Sequence, residues 1–334
     1  MEIVLALPII ASFVLIISFL PFWIKRAENA GLEGKDMNKY DRRKVAEAGG
    51  VVVIAGFVLG IFLYVALKTF YFNSQENLVE IFVIATSVII MAFIGMIDDI
   101  LGWKIGLGKK IRVFLVLIAA VPLMVINAGD SHVSLFGVNG AAFGLIYALF
   151  LIPLGIVGAT TTFNFLAGYN GLEAGQGVII LSALSLVAHL TGNSWLALIG
   201  LCFVFALLAF LFFNKYPAKV FPGDVLTYPV GGMIAIMAIL GNMEKVALFF
   251  FIPYIIEVFL KARGNLRKQS FGKPNKDGSL ETQYKKIYGL EHLAIRFLKK
   301  VNGRATEKGV VYTIYAFQIV VIIIGLLIFR KGIF

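Results

Sequence analysis

The chain has 334 residues, 60% of them hydrophobic and only 15% charged, with a formal net charge of +11. Apolar runs of about 18 residues or more recur along it, which excludes an ordinary water-soluble domain and implies membrane-spanning helices. A lone cysteine, Cys202, excludes a disulfide framework, and without a stacking or groove-reading motif the positive charge does not require nucleic acid.

The first apolar run, residues 3–24, is too long for a signal-peptide core and no small-residue cleavage site follows, so it reads as a retained helix. Further spans follow at roughly 48–70, 78–97, 111–128, 142–160, 175–191, 195–214, 224–241, 245–262 and 309–330. The predicted fold is therefore all-α, a polytopic membrane protein of about ten transmembrane helices in one domain, residues 1–334. Connections after the odd-numbered spans hold most of the 30 basic residues. The positive-inside rule makes those connections cytoplasmic and both termini external, in a multi-pass plasma membrane protein of prokaryotic type.

Residues 261–308 form the last and longest cytoplasmic loop. Asp277-Gly278 within it suits a hairpin turn. Further on, Ile287, Leu290, Ala294, Phe297 and Val301 recur at helical spacing, flanked by Lys285, Lys286, Arg296, Lys299 and Lys300. This pattern reads as a basic amphipathic helix on the cytoplasmic leaflet, with a soluble packing helix as the alternative. Pro122, Pro153, Pro229 and Pro253 fall inside spans and are expected to kink them. Gly56 and Gly60 suit internal helix packing, or else a homodimer contact.

Three polar islands interrupt the apolar runs, and the charge pattern puts all three on one side of the membrane. Asp98-Asp99 follows Ile97. An acid at a helix centre costs about 2.5–3.5 kcal/mol to insert, so adjacent acids should face water or cations. They suit a divalent cation, a proton-transfer role, or a solvated helix end. Lys104, Lys109 and Lys110 follow as phosphate-binding candidates. The second island runs from Asn164 through Asn170-Gly171-Leu172-Glu173, where amides could ligate a hard cation or pair with a pyrimidine edge, or simply form a turn. The third is Gly223-Asp224, an N-cap if read alone and a metal-ligand candidate as a third acid on the same side. Glu47 reads as a helix-start acid. His132, His189 and His292 lack ligand spacing, so zinc chemistry is not expected.

Asp98-Asp99-Ile100-Leu101, Asn164-Phe165-Leu166-Ala167-Gly168, Asn170-Gly171-Leu172-Glu173-Ala174-Gly175-Gln176 and Phe221-Pro222-Gly223-Asp224 together resemble the polyprenyl-phosphate N-acetylhexosamine-1-phosphate transferases. The Asn-Gly-Leu-Glu-Ala-Gly-Gln string, with residues 34–39 and 47–50, is similar to the eukaryotic and archaeal branch that uses UDP-GlcNAc and dolichyl phosphate. The resemblance implies Mg²⁺, or Mn²⁺ in its place, on Asp224 and Asn164, with Asp98 and Asp99 beside it. It implies donor-site roles for Glu47 and for Asn170, Gly171 and Glu173, with Asn170 on the uracil. It further implies a phosphate-binding lysine at Lys109 or Lys110 and an arginine at Arg263 or Arg267. Bacterial cell-wall relatives carry Asp at the position of Asn170 and a histidine-rich motif in the last loop; this chain has neither, which argues against a muramyl-pentapeptide substrate. Thr161 and Gly102 replace asparagines of the family.

The implied reaction is in-line attack of a lipid phosphate on the sugar-linked phosphorus of UDP-GlcNAc, with Asp98 or Asp99 as base or orienting group. Another UDP-N-acetylhexosamine is the alternative donor. A transporter is the rival class, but it predicts polar residues along a full path, and apart from Glu257 the mid-membrane is nearly free of charge.

Overall fold

The computed structural model describes residues 3–135 and 138–333; the side chains of residues 103–105, 109 and 132–142 lie outside that description. The molecule is helical throughout, and three short antiparallel hairpins are its only sheets among the described residues. Six helices are long and apolar enough to cross a membrane, beginning with α1 (Ala6–Ala30), α2 (Gly50–Ala66) and α3 (Leu78–Ile105). After α4 (Lys109–Val125) and α5 (Ile152–Phe163) come two more, α6 (Leu172–Leu190) and α7 (Ser194–Asn214). Then follow α8 (Asp224–Leu240), α9 (Glu244–Phe250), α10 (Ile252–Arg263), α11 (Leu290–Asn302) and the sixth long apolar helix, α12 (Glu307–Ile333).

Burial divides the bundle into a centre and a jacket. Helices α6, α7 and α8 are buried along most of their length, through side chains such as Leu181, Phe203, Phe210 and Met233. By contrast α1 and α12 turn Phe19, Phe22, Ile323 and Leu327 outward. An apolar exterior of this kind suits contact with lipid tails rather than water. Gly56 and Gly60 face α1, where a Cβ would strike Ile16 and Ser12, so the small-residue pair serves packing within the bundle.

Helix ends depart from the predicted spans where charge was taken as a boundary. Helix α1 passes Lys25 and Arg26 and stops only where Gly31 adopts φ 72°. Helix α3 runs through Asp98 and Asp99 to Ile105, its regularity broken by Gly102 at φ 74°. Pro253 opens α10 instead of kinking a helix interior, because a proline at the first turn gives up no intrahelical hydrogen bond, whereas Pro153 lies inside a continuous helical run, where a π-helical turn over Tyr147–Leu151 passes directly into α5. The predicted span 245–262 is accordingly broken at Phe251 into α9 and α10.

The connections form their own layer at one end of the bundle. Strands β1 (Glu33–Lys35) and β2 (Lys44–Ala46) make a hairpin, and Ala46 accepts from Phe221 N–H at 2.8 Å. Gly49 and Gly50 then donate to the carbonyls of Phe221 and Pro222, both at 3.0 Å. The loop before α2 is thereby fastened to the loop before α8. Between α4 and α5 a hairpin pairs β3 (His132–Leu135) with β4 (Val138–Ala142). In the last loop, β5 (Lys273–Pro274) pairs with β6 (Leu280–Glu281), Gly278 taking φ 78° at the turn. Helix α11 buries Leu290, Ala294 and Ile295 and leaves Leu293, Phe297 and Val301 exposed.

Candidate active site

Asp98 and Asp99 are consecutive on α3, so about 100° of helical rotation separates their side chains. They consequently do different things. Asp99 accepts the N–H groups of Asp224 and Val225 at 2.8 and 3.0 Å. These are orphan donors of the first turn of α8, and a carboxylate is favoured there by the helix dipole. The approach needs two glycines: a Cβ at Gly95 would run into the Asp224 backbone, and one at Gly223 (φ 72°) into the Asp99 carboxylate.

Asp98 turns the other way. Its Oδ1 accepts Leu107 N–H at 2.5 Å and its Oδ2 meets Arg112 Nη2 at 2.7 Å. Arg112 Nη1 stands 3.6 Å from Asp224 Oδ2, while its Nε donates to Leu107 O at 2.8 Å. Asn164, the C-cap of α5, donates from Nδ2 to Asp224 Oδ1 at 2.8 Å. The three islands therefore meet, around Asp224.

They line a cavity of about 430 Å³ with Glu47, Glu173, Lys35, Asp36 and the segment Gln269-Ser270-Phe271. Burial pushes the Glu47 carboxyl up from its ordinary value. Glu173 accepts Gly168 N–H through Oε1 at 2.7 Å, and its Oε2 has no protein partner. Among the described side chains, the lining has six carboxylates, from Asp36, Glu47, Asp98, Asp99, Glu173 and Asp224, against two cations, Lys35 and Arg112. A surplus of negative charge in a site with low-dielectric walls attracts cations and repels anions.

Several sequence candidates lie elsewhere. Asn170 is buried outside the lining; its Nδ2 donates to Asp36 Oδ2 at 3.1 Å and its N–H to Glu307 Oε1 at 2.8 Å. Gly171, at φ 89°, starts α6, and its carbonyl accepts the Tyr315 hydroxyl at 2.5 Å. Arg263 and Arg267 are exposed and outside the lining, as is Lys110. The side chain of Lys109 lies outside the described residues.

Sequence reasoning passed over Arg112 as one more topological charge, and took Asp36 and Asn38 only as part of the segment 34–39 that resembles the family, without a role in the site. Asn38 ties two walls of the cavity, donating to Gly168 O at 2.7 Å and accepting Gly272 N–H at 3.0 Å. Lys261, buried at the end of α10, pairs with Glu257 at 3.3 Å and hydrogen-bonds the Ser270 hydroxyl. The usable signal for Arg112 was a guanidinium at the start of an apolar run, where insertion is costly without a partner.

Among the described residues, no three His, Cys, Asp or Glu side chains converge into a ready-made metal cage. Hard oxygen donors are nevertheless present on Asp224 and Asn164. Such a set fits Mg²⁺, which keeps several waters and takes one or two carboxylates together with substrate phosphates. It does not fit a structural zinc site.

A second recess also has α5 in its wall. It is an apolar groove of about 490 Å³, lined by Leu154, Gly155, Gly158 and Thr162 of α5, by Ile234 and Ala238 of α8, and by Phe251 and Phe259 on the other side. Asn164 lines the polar cavity and Thr162 the groove, so the C-terminal end of α5 contributes to both recesses.

Fold and site together define a multi-pass helical membrane protein in which one helix, α5, contributes to both a carboxylate-rich cavity and an apolar groove. The chain belongs to glycosyl transferase family 4, whose profile matches residues 81–242, from within α3 to just beyond α8. It is similar to a protein of Saccharolobus solfataricus provisionally named UDP-N-acetylglucosamine–dolichyl-phosphate N-acetylglucosaminephosphotransferase, 34% identical over 96% of each chain. The UDP-N-acetylglucosamine–dolichyl-phosphate N-acetylglucosaminephosphotransferase of Dictyostelium discoideum is 29% identical over 68% of this chain and 64% of its own. The phospho-N-acetylmuramoyl-pentapeptide-transferase of Streptococcus agalactiae is 31% identical over 74% of this chain and 76% of its own.

Proposed function

We propose that the protein transfers N-acetylglucosamine-1-phosphate from UDP-GlcNAc to a polyprenyl phosphate such as dolichyl phosphate, releasing UMP, as the first step of lipid-linked glycan assembly. The observation that carries this reading is the pairing of the two recesses along α5. A prenyl chain cannot leave the bilayer and a nucleotide cannot enter it, so their reaction needs an apolar groove opening onto a polar cavity.

A phosphate oxygen of the lipid forms a bond to the sugar-linked phosphorus, and the bond to the UMP oxygen breaks. Asp224 and Asn164 would hold Mg²⁺, or Mn²⁺ in its place, and the bound ion supplies Lewis-acid neutralisation of the donor diphosphate. Lys35 and Arg112 are the cations of the cavity that can contact phosphate oxygens. Asp98, already engaged by Leu107 N–H and Arg112, orients that guanidinium rather than acting as a base. A base is dispensable, since a phosphomonoester with a second pKa of about 6 is largely ionised at neutral pH. Asp99 holds α8, and Asp224 with it, by its first two N–H groups. Glu47 and Glu173 offer carboxylates to the hydroxyl and N–H groups of the donor.

The same reading sets the topology. Ten crossings are α1 to α8, the broken α9–α10 pair and α12, with the cavity on the cytoplasmic side and both termini external. The chain forms one domain, and residues 261–308 are a cytoplasmic segment whose α11 rests at the plasma membrane surface. Its basic outer edge suits anionic headgroups.

The test is UMP release by the purified protein given a polyprenyl phosphate, Mg²⁺ and each of several UDP-N-acetylhexosamines in competition. UMP and a lipid diphosphate sugar are expected with UDP-GlcNAc as the preferred donor. Nucleotide-sugar uptake into vesicles without UMP would establish the transporter instead.

A further inference from the structure

Arg112 stands where it must compete with a bound cation. Its guanidinium lies between Asp98 and Asp224, 2.7 Å from the first and 3.6 Å from the second. The two contacts are unequal in kind as well as length. Asp98 is a buried anchor, also held by Leu107 N–H, and Arg112 Nε is fixed on Leu107 O. The contact to Asp224 is the longer and looser, and Asp224 shares its other oxygen with Asn164. The Arg112 side chain is 31% exposed and lines the cavity, with the Tyr228 hydroxyl as a further hydrogen-bond partner that its motion would also exchange.

We propose that Arg112 is an exchangeable counter-ion: it neutralises Asp224, yields that carboxylate to a divalent cation, and turns about its Asp98 anchor to meet the donor diphosphate. The inference rests on the reading above, in which Asp224 holds the cation. Two positive charges cannot share Asp224 cheaply, because like charges held this close in a partly buried site repel strongly. An arginine fork suits the second position, because it pairs with phosphate oxygens as readily as with carboxylates. The geometry also couples the two substrates of the site to each other. A cation on Asp224 releases Arg112, and the released arginine adds to diphosphate affinity, so each ligand favours the other to the same degree.

A simple buttress makes the opposite prediction. If Arg112 merely kept Asp98 and Asp224 in place, its removal would loosen the cation site. If it competes, its removal tightens that site.

The experiment titrates Mn²⁺ into nanodisc-embedded protein and reads free ion by electron paramagnetic resonance, without nucleotide. Asp224→Asn is expected to abolish the site. Arg112→Gln is expected to bind Mn²⁺ about tenfold more tightly than wild type, a gain of ~1.4 kcal/mol. With Mn²⁺ saturating, the same variant is expected to bind UDP about tenfold more weakly. Arg112→Lys keeps the charge but reaches one carboxylate only, so its Mn²⁺ affinity should lie between the two, and it serves if the glutamine variant does not fold. Equal Mn²⁺ binding by wild type and Asp224→Asn overturns the cation site and this inference with it. Loss in Asp224→Asn together with unchanged or weaker binding in both Arg112 variants overturns the inference alone.

Discussion

Replacing Asp99 separates a structural from a catalytic carboxylate. Its two oxygens receive the Asp224 and Val225 N–H groups at 2.8 and 3.0 Å, so Asp99→Ala strands two helix-start donors in a water-poor setting. Removing a capping side chain costs about 0.5–2 kcal/mol, and hydrogen bonds to a charged group are worth about 1.5–3 each, so a loss of about 2–4 kcal/mol is expected. The thermal midpoint should fall by on the order of 5 °C, measured in one lipid and at one scan rate. Asp99→Asn retains one acceptor and should fall by about half as much. Turnover decides the matter when each variant is assayed about 10 °C below its own midpoint. Loss of a general base costs about 100-fold or more, whereas loss of a cap leaves the asparagine variant within about tenfold of wild type. An asparagine variant with a native midpoint and a 100-fold or greater loss of turnover would refute the capping role.

Gly95→Ala drives a Cβ into the Asp224 backbone and should cost about 1–3 kcal/mol together with most of the turnover, whereas Gly108→Ala, which meets open space, should change neither; melting and UMP release check both. His292 is held neutral, its pKa pushed down to about 4 by burial and then by Lys261. Between 6.5 and about 4 the unfolded chain takes up a proton that the folded one refuses, so stability falls as pH drops through that window, and His292→Gln should flatten the acid limb of a midpoint-against-pH curve. Leu154→Trp fills the apolar groove and should raise KM for a long-chain polyprenyl phosphate by about tenfold, leaving KM for UDP-GlcNAc unchanged. Asn170→Asp sets a carboxylate against Asp36, so its midpoint should lie below wild type; a raised KM for UDP-GlcNAc with a native midpoint would place the amide on the donor instead.

Six of the ten predicted spans were legible as helices long and apolar enough to cross a membrane, because burial in lipid asks little of the sequence beyond a sustained apolar run, as in residues 195–214 for α7. Helix ends were not, because they are settled by backbone geometry and packing. Lys25 and Arg26 do not stop a helix whose carbonyls are capped only at Gly31. Asp98 and Asp99 do not end α3, since Arg112 and the first turn of α8 wait there to compensate them. Phe251 could not be seen as a break from its own side chain; Pro253, two residues on, is what makes a new helix start there.

The site divides in the same way. Acids in an apolar chain are conspicuous, so Asp98, Asp99, Asn164 and Asp224 could be picked out before any contact was known. What each one touches depends on rotation and register. One residue step on α3 sends Asp98 to a cation and Asp99 to a backbone, a distinction that the dipeptide cannot display. Arg263 and Arg267 were named as alternatives because the family resemblance implies an arginine in the last loop, yet Asn265 and Leu266 both take positive φ, 54° and 55°, and the chain turns there so that Gln269, Ser270 and Phe271 reach the cavity. Positive charge is scarce at the cavity, where two cations face six carboxylates among the described side chains. With so unequal a balance, whatever neutralises Asp224 at a given moment decides whether an anionic donor can enter, which makes the competition for that one carboxylate the control point of the proposed reaction.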